Sequence, residues 1–188
     1  MMDDKRKKFF LELAYQVAKT HSQDKNTQVG AVIVDPKNGG KFLTLAGNCL
    51  PDRVIQLPER MDRPGKYQYF EHAERGAIYA AAKLGISLNG CWMFCPYFSC
   101  VECARAIINS GIKHVVGDKK LMDMTPERWR ESIATAYTLF EEAGVTYEHM
   151  DVPDLNRYGI VFDDKILNTE ITLQHEIKKE ETKEETTQ

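Results

Sequence analysis

The chain has 188 residues, which is enough for one domain with a single core and short for two. Its 25 Lys and Arg against 28 Asp and Glu give a formal net charge of −3, which argues against nucleic acid as a partner but leaves a local basic patch open. No apolar run approaches the roughly 18 residues of a membrane span, and the first ten residues lack the apolar core of a secretory signal. The five cysteines, an odd number, favour a reducing compartment, so we expect a cytoplasmic protein with no membrane partner.

The first third of the chain predicts a helix followed by a β-hairpin. Apolar residues recur at helical spacing over 10–18, and either Asp3 or Asp4 is suited to cap this helix. Two strand-like runs, 29–34 and 41–46, flank a cluster of turn residues and predict a pair of antiparallel strands.

Residues 51–71 form a polar stretch with three prolines and four cations. A loop of about 20 residues is uncommon in a compact domain and is usually functional or mobile. We interpret this segment as a candidate lid, and the alternative is a surface insertion with no role.

The second half of the chain alternates between strand-like and helix-like segments. Strands are predicted at 91–95, 113–116 and 145–149, and helices at 73–84, 101–109 and 125–143. The last helix is predicted to open with Thr125 as its N-cap and Pro126 in its first position. The element order α-β-β-α-β-α-β-α-β predicts an α/β fold, a three-layer α-β-α sandwich with a five-stranded mixed sheet and the hairpin at one edge.

The domain boundaries follow from where this alternation stops. We expect a domain over 1–150, an extension that packs on it over 151–175, and a disordered charged tail over 176–188. The tail has three Lys and five Glu, hence a charge of −2, which leaves the body at −1. Because the body is near neutral, an anionic substrate must be held by local cations, such as those over 53–75.

Two short motifs carry the chemistry, and each lies where a strand gives way to a helix. His72 belongs to an H-x-E motif, and Cys100 and Cys103 form a C-x-x-C motif. One His and two Cys supply three ligands to a tetrahedral zinc ion and leave its fourth position open, as in catalytic sites. Glu74 is placed to exchange protons with a water at the metal without ligating it. Taken alone, C-x-x-C also fits a structural zinc or a redox dithiol, and a His at a helix start is commonly just solvated.

The two motifs together, 28 residues apart, resemble the pattern of the zinc-dependent deaminases. Over about 9–148 the chain resembles the cytidine and deoxycytidylate deaminase superfamily and is most similar to its deoxycytidylate deaminases. The further matching segments are 27–34, 47–51 and 103–116. The resemblance implies a cytidine deaminase-like fold, conversion of dCMP to dUMP and ammonia, one zinc ion per chain, and assembly as a homo-oligomer.

The resemblance also implies roles for individual residues. The three ligands named above would hold zinc, and Glu74 would carry protons. Asn48 would hydrogen-bond the sugar or the base, and the Ala73 backbone would face the pyrimidine ring. The alternative for Asn48 is that it caps a loop, since Asn favours such turns.

Two positions depart from the family pattern. Ser99 precedes Cys100 where the family usually has Pro, which puts the local loop shape in doubt. Gly76 stands where deoxycytidylate deaminases commonly have an Asn that helps to bind the nucleotide. Phosphate recognition must therefore be rebuilt, or the substrate differs. Arg75 is a candidate for the lost contact, and an exposed arginine or an ion pair at a subunit interface is the alternative.

Three functions stay open at this point. The first is a zinc-dependent deaminase of a pyrimidine deoxynucleotide, with dCMP as the expected substrate. The second keeps the chemistry but acts on cytidine, on a modified cytosine nucleotide, or on a base in single-stranded nucleic acid or tRNA. The third is a non-catalytic binding module that zinc stabilises, which is physically possible because structural zinc contributes about 10–16 kcal/mol in small domains.

Overall fold

A computed structural model of the chain describes residues 2–152 and 158–167. The helices in these ranges are α1 (Asp4–His21), α2 (Pro58–Met61), α3 (Lys66–Tyr69), α4 (Ala73–Lys83), α5 (Val101–Asn109), α6 (Lys119–Asp123) and α7 (Glu127–Ala143). The strands are β1 (Gly30–Asp35), β2 (Lys41–Gly47), β3 (Trp92–Phe94), β4 (His114–Asp118), β5 (Thr146–Met150), β6 (Val161–Phe162) and β7 (Lys165–Ile166). In the described part of the chain, no helix combines the length and apolar character that crossing a membrane requires. The predicted tail, 176–188, lies outside the described residues.

Five strands form one mixed sheet in the order β2-β1-β3-β4-β5. Strand β1 is antiparallel to both β2 and β3, whereas β3 with β4 and β4 with β5 form parallel pairs. The predicted hairpin therefore lies at one edge, and the predicted α/β fold with a five-stranded mixed sheet is confirmed.

Helices cover both faces of the sheet, because successive side chains of its central strands are apolar on both sides. On β1, Val32 and Val34 belong to the core that α1 covers, whereas Ala31 and Ile33 belong to the core beneath α4, α5 and α7. The sheet and the two helical layers make the predicted three-layer α-β-α sandwich.

Helix α1 lies directly across β1. Its N-cap is Asp3, whose carboxylate accepts a hydrogen bond from the Arg6 backbone N–H at 2.8 Å. A Cβ at Gly30 would lie 2.3 Å from the Ala14 carbonyl oxygen, so this approach of helix to strand requires glycine.

Segment 51–71 is pinned to the body of the domain by a buried ion pair. Lys66 in α3 is 3% exposed. Its Nζ donates to both carboxylate oxygens of Asp24 at 2.7 Å and to Asn26 Oδ1 at 2.9 Å. Removing one partner of a buried pair typically costs about 3–5 kcal/mol, so this contact holds the segment in place.

The described part of the C-terminal region, 158–167, packs against the body through the β6–β7 hairpin. The Gln28 backbone N–H donates to the Val161 carbonyl oxygen at 2.7 Å, and Phe162 is buried with its ring 4.9 Å from the Tyr97 ring. The remainder of the predicted extension, 153–157 and 168–175, lies outside the described residues.

Helix α7 begins one residue later than the pattern predicts. Pro126 precedes the helix, Glu127 is its first residue, and no side chain caps it. The predicted Thr125 cap is wrong, because Pro126 occupies the cap position and Thr125 lies in the turn after α6, where its backbone N–H donates to the Met122 carbonyl oxygen. The short helix α6 was not predicted, and Asp118 caps it.

Gly76 faces the sheet where α4 packs against β2. A Cβ at this position would lie 2.9 Å from Ala46 Cβ, and neither atom can swing away because both are fixed to the backbone. The same contact contains a buried hydrogen bond from the Thr44 hydroxyl to the Ala77 carbonyl oxygen at 3.1 Å. The close packing of helix and strand therefore accounts for glycine where the resemblance leads one to expect Asn.

We expect Gly76→Ala to lower the free energy of unfolding by about 1 kcal/mol, because overpacking costs about 1–3 kcal/mol and exceeds the gain in helix propensity of at most about 1 kcal/mol. In a chain that also carries Ala46→Gly, the added methyl group has room. A double-mutant cycle measured by urea unfolding should give a favourable coupling energy of about 1 kcal/mol. A coupling energy of zero would contradict this packing.

Asp118 is a fully buried carboxyl group at the end of β4. Its Oδ1 accepts a hydrogen bond from the Lys120 backbone N–H at 2.7 Å. Burial raises the pKa of Asp118 to about 6, against the opposing effects of the nearby Tyr15 hydroxyl and the Lys120 and Leu121 N–H groups. Because the folded chain binds this proton more tightly than the unfolded chain, stability falls as pH rises from about 4 to about 6.

We expect Asp118→Asn to remove this pH dependence, since Asn keeps an oxygen for the Lys120 N–H and carries no charge. The variant should match the wild type near pH 4 and exceed it above pH 6 by up to about 3 kcal/mol, the value of roughly two pKa units. Urea unfolding between pH 4 and pH 8 measures the difference. Asp3→Asn, at the exposed cap of α1, is the control and should show no such trend; a difference independent of pH would refute the account of Asp118.

Candidate metal centre and active site

Two helix N-termini meet at the candidate site. His72 precedes the first residue of α4 and Cys100 precedes the first residue of α5, and neither side chain makes a capping hydrogen bond. Both side chains are therefore free to turn towards a common point, together with Cys103 in the first turn of α5. The partial positive charge of a helix N-terminus also favours thiolate ligands at this place.

The three side chains that the motifs predict as ligands lie at the spacing that zinc requires. His72 Nδ1 is 3.5 Å from Cys100 Sγ and 3.5 Å from Cys103 Sγ, and the two sulfurs are 3.7 Å apart. Tetrahedral zinc with ordinary bond lengths separates N from S by about 3.6 Å and S from S by about 3.8 Å. The group is therefore consistent with one zinc ion. Within the described residues it contains three ligands, which leaves the fourth position open and argues against a closed structural site.

The contact between the two sulfurs favours a thiolate at Cys100, whereas the same contact and burial raise the pKa of Cys103. The hydrogen bond with Cys103 lowers the pKa of Cys100 to about 3, and the contact with His72 acts in the same direction. Burial opposes protonation of His72, but the hydrogen bond to Cys100 and the charge of Glu74 outweigh it, so the His72 pKa is raised. A thiolate is already favoured at Cys100, and a thiolate is the form that binds metal.

Glu74 lies in the first turn of α4 and is 4% exposed. It lines the same pocket as His72 and Cys100 but does not belong to the ligand group. Burial raises the pKa of Glu74, and the buried Ser99 hydroxyl beside it acts in the opposite direction. Ser99 therefore lies next to the carboxylate that the motif predicts as the proton carrier, a neighbour signalled in the sequence only as a departure from the family Pro.

A pocket with mainly apolar walls opens beside the ligand group. Its apolar lining includes Val29, Phe70, Ala73, Phe98, Trp129 and Ile133. Its polar lining includes Asp24, Asn48, Arg63, Lys66 and Arg128. Segment 51–71 thus supplies a wall of the site. Asp24 and the residues from α7 were not predicted, because they approach the motifs only through the tertiary fold.

Asn48 lines this pocket with its amide already engaged by the protein. Its Oδ1 accepts hydrogen bonds from the Val29 backbone N–H at 2.9 Å and the Ser22 hydroxyl at 2.6 Å. Its Nδ2 donates to the Thr27 carbonyl oxygen at 2.8 Å and to Asp24 Oδ2 at 3.3 Å. These bonds fit the loop-capping alternative, and a direct contact with substrate stays a prediction.

The other two predicted substrate contacts occupy different places. Ala73 is fully buried and lines the pocket, as its predicted role requires, although that role stays a prediction. Arg75 lies in a neighbouring groove, where its Nε donates to Glu71 and its Nη1 donates to Glu102 Oε2 at 2.6 Å. Since Glu71 precedes α4 and Glu102 lies in α5, Arg75 ties the two ligand-bearing helices together. This arrangement does not favour the predicted phosphate contact.

Comparison with known proteins agrees with this geometry. The family described as "Cytidine and deoxycytidylate deaminase zinc-binding region" matches residues 4–118. Deoxycytidylate deaminase of Pongo abelii is 34% identical over 163 residues, which cover 82% of this chain and 84% of that protein. Deoxycytidylate deaminase of Homo sapiens is 33% identical over 163 residues, which again cover 82% of this chain and 84% of that protein.

Among solved structures, the fold is similar to dCMP deaminase from the cyanophage S-TIM5 in complex with dCMP and dUMP. The TM-score is 0.63 at 24% identity, over 80% of this chain and 100% of that chain, a likeness that shows the fold. The family match spans both motifs, and its zinc-binding description agrees with the ligand group of His72, Cys100 and Cys103. The chain belongs to the cytidine and deoxycytidylate deaminase family of zinc-dependent deaminases.

Proposed function

We propose that the protein deaminates dCMP to dUMP and ammonia. The observation that carries the proposal is the group of three ligand atoms within 3.7 Å of one another, with buried Glu74 on the wall of the same pocket. The choice of substrate is supported by relatives of 33–34% identity that are named deoxycytidylate deaminases.

In this reaction the oxygen of a water molecule bonds to C4 of the cytosine ring, the bond from C4 to the amine breaks, and the amine leaves as ammonia. A zinc ion bound by the three ligands supplies a Lewis acid that brings the pKa of water towards about 7. Glu74 takes a proton from the water as its oxygen bonds to carbon, and it delivers a proton to the leaving amine. Its burial keeps bulk water away from this exchange.

The pocket walls suit a nucleotide. Trp129 offers a flat apolar surface of the kind that accepts a base, and Phe98, which is buried and stacked on Tyr137, forms part of the wall. The buried Ala73 backbone lies next to Glu74, where a ring undergoing attack at C4 would be held. Asn48 is available to the sugar if one of its four protein hydrogen bonds is exchanged, and Asp24 lies beside it.

The test of the substrate is incubation of the zinc-loaded protein with dCMP, cytidine, a cytosine-containing DNA strand and tRNA, with ammonia and deaminated product measured together. We expect kcat/KM for dCMP to exceed that for every other substrate. A higher kcat/KM for cytidine or for either polymer would make that molecule the substrate in place of dCMP. The absence of any deamination would favour the non-catalytic module.

We expect Glu74→Gln to keep the fold and one zinc ion per chain while kcat falls by about 100- to 10,000-fold, the range for loss of a general acid and base. Cys103→Ala should instead lose the zinc, because two ligands hold the ion far less firmly than three. Zinc content by atomic absorption, unfolding temperature and kcat measured on the same samples separate the two roles.

Two variants of unrelated positions serve as controls. Glu142→Gln removes an exposed carboxylate from α7, and Cys49→Ala removes a thiol outside the ligand group. Both should keep zinc and rate within about twofold. Equal rates for Glu74→Gln and the wild type would eliminate Glu74 as the proton carrier.

We also propose that the protein is a cytoplasmic homo-oligomer. All five cysteines are free, which suits a reducing compartment. Strand β2 is an edge of the sheet, and Phe42 on β2 and Tyr79 on α4 are 44% and 47% exposed. Sheet edges and apolar side chains of this kind are commonly covered in assemblies. Sedimentation velocity should detect a species larger than the monomer at micromolar concentration, and a monomer alone would contradict the proposal.

A further inference from the structure

Two arginines from distant parts of the chain converge on the pocket. Arg63 comes from segment 51–71, and Arg128 is the second residue of α7. Both line the pocket that also contains Glu74, and their side chains are 32% and 43% exposed, as befits residues between pocket and solvent.

The two arginines donate to one carboxylate oxygen, so their guanidinium groups lie close together. Arg63 Nη2 donates to Asp163 Oδ1 at 3.2 Å, and Arg128 Nη2 donates to the same oxygen. Asp163 lies in the turn of the β6–β7 hairpin and is not among the residues that line the pocket. It therefore contacts the two guanidinium groups from outside the pocket and fixes their separation.

Donors for a second anion are present on the arginines. Within the described residues, Arg128 hydrogen-bonds through Nη2 and leaves its Nε and Nη1 groups without a protein acceptor. Arg63 is held by the Tyr67 hydroxyl, which accepts from its Nε at 3.1 Å, and by Asp163 and Asp164. Each terminal nitrogen of a guanidinium carries two N–H groups, so both arginines retain donors for a phosphate.

The arginines lie beyond two aromatic rings from the metal ligands. The Trp129 ring is 6.0 Å from the His72 ring and 6.2 Å from the Tyr67 ring, and Tyr67 contacts Arg63. In a nucleotide, the base and the sugar likewise separate the reacting carbon from the phosphate. A nucleotide with its C4 at the metal ligands can therefore extend its phosphate towards the arginines.

The other cations near the site are already used by the fold. Lys66 gives its Nζ donors to Asp24 and Asn26, and Arg75 is shared between two carboxylates in the neighbouring groove. Lys66 therefore has no Nζ donor left for a phosphate, and Arg75 does not line the pocket that contains Glu74.

We propose that Arg63 and Arg128 bind the 5′-phosphate of a nucleoside monophosphate and so select nucleotides over nucleosides. The proposal rests on the proposed function for the identity of the base, but not for the phosphate contact itself. A phosphate offers three acceptor oxygens and up to two charges, which matches two guanidinium groups better than a single cation.

The test compares dUMP, which is not turned over, with deoxyuridine by titration calorimetry on the zinc-loaded protein. Arg63→Met and Arg128→Met should each weaken dUMP binding by about tenfold or more, the effect of one lost charge-assisted hydrogen bond, and leave deoxyuridine binding within about twofold. For dCMP turnover, KM should rise while kcat changes little, since the phosphate is bound equally in ground and transition states. Each single variant leaves Asp163 with one arginine, so the hairpin keeps a partner.

Matched controls are Arg53→Met, in the same segment as Arg63, and Arg130→Met, two residues from Arg128; neither arginine lines the pocket. Both controls should bind dUMP as the wild type does. The proposal would be overturned if Arg63→Met and Arg128→Met weakened the binding of dUMP and of deoxyuridine equally. It would also be overturned if Arg53→Met and Arg130→Met weakened dUMP binding as much as the two test variants do.

The outcomes separate this inference from the proposed function. If dCMP is not deaminated, the same titrations are run with dAMP, dGMP and dTMP against their nucleosides. If a monophosphate binds more tightly than its nucleoside, and if this difference in affinity requires Arg63 and Arg128, the phosphate site is supported although dCMP deamination is not. A wild-type protein that binds no monophosphate more tightly than its nucleoside would reject the phosphate site.

Discussion

The site depends on the meeting of two helix N-termini on one side of the sheet. Helices α4 and α5 each begin directly after a ligand, so the placement of the helices sets the positions of His72 and Cys100. Three ligand atoms come within 3.7 Å only because both helices pack on the same face, in the core that contains Ile33 and Met93. The ion pairs of Arg75 with Glu71 and Glu102 brace this junction from outside the pocket. Sheet packing, ligand geometry and proton transfer are therefore parts of one arrangement.

The wall opposite the ligands has a different physical basis. The apolar side chains of segment 51–71 are exposed or half-buried, whereas Lys66 is held by Asp24 in a pair that is almost fully buried. The Asp24 carboxylate also accepts hydrogen bonds from the backbone N–H groups of Asn26 and Thr27. Most of its capacity to accept hydrogen bonds is therefore used within the protein. A buried pair of this kind stabilises little compared with an apolar contact of equal size, but it is costly to break and specifies a single geometry. The pocket wall is thus fixed by a polar contact, in a segment whose apolar side chains are not buried.

How far the sequence predicts this structure depends on how local each signal is. The hairpin at 29–46 and the H-x-E and C-x-x-C motifs each depend on residues close in sequence. The hairpin lies as predicted and both motifs begin a helix as predicted, although H-x-E follows the short helix α3 and not a strand. The Thr125 cap is wrong because the helix begins one residue later, which puts Pro126 at the cap position. Gly76 could be recognised as a departure, but its cause, the contact with Ala46, exists only once α4 lies on β2. The Lys66–Asp24 pair joins residues 42 positions apart, and no local pattern indicates it.

The charge of the chain illustrates the same limit and bears on the substrate. A body near neutrality cannot attract an anion by its overall field, so any phosphate must be met by cations close to the pocket. Counting cations along the chain points to 53–75, yet Lys66 gives its Nζ donors to Asp24 and Asn26, and Arg75 lies in the neighbouring groove. The partner of Arg63 comes instead from α7, 65 residues further on, and the hairpin turn at Asp163 sets the distance between the two. Glycine stands at position 76 where the resemblance leads one to expect Asn, and the contact of α4 with β2 leaves no room for a side chain there. Recognition of an anion at this site must therefore be built from elements that the motifs do not include, because the residues next to the motifs are already engaged in holding the ligands together.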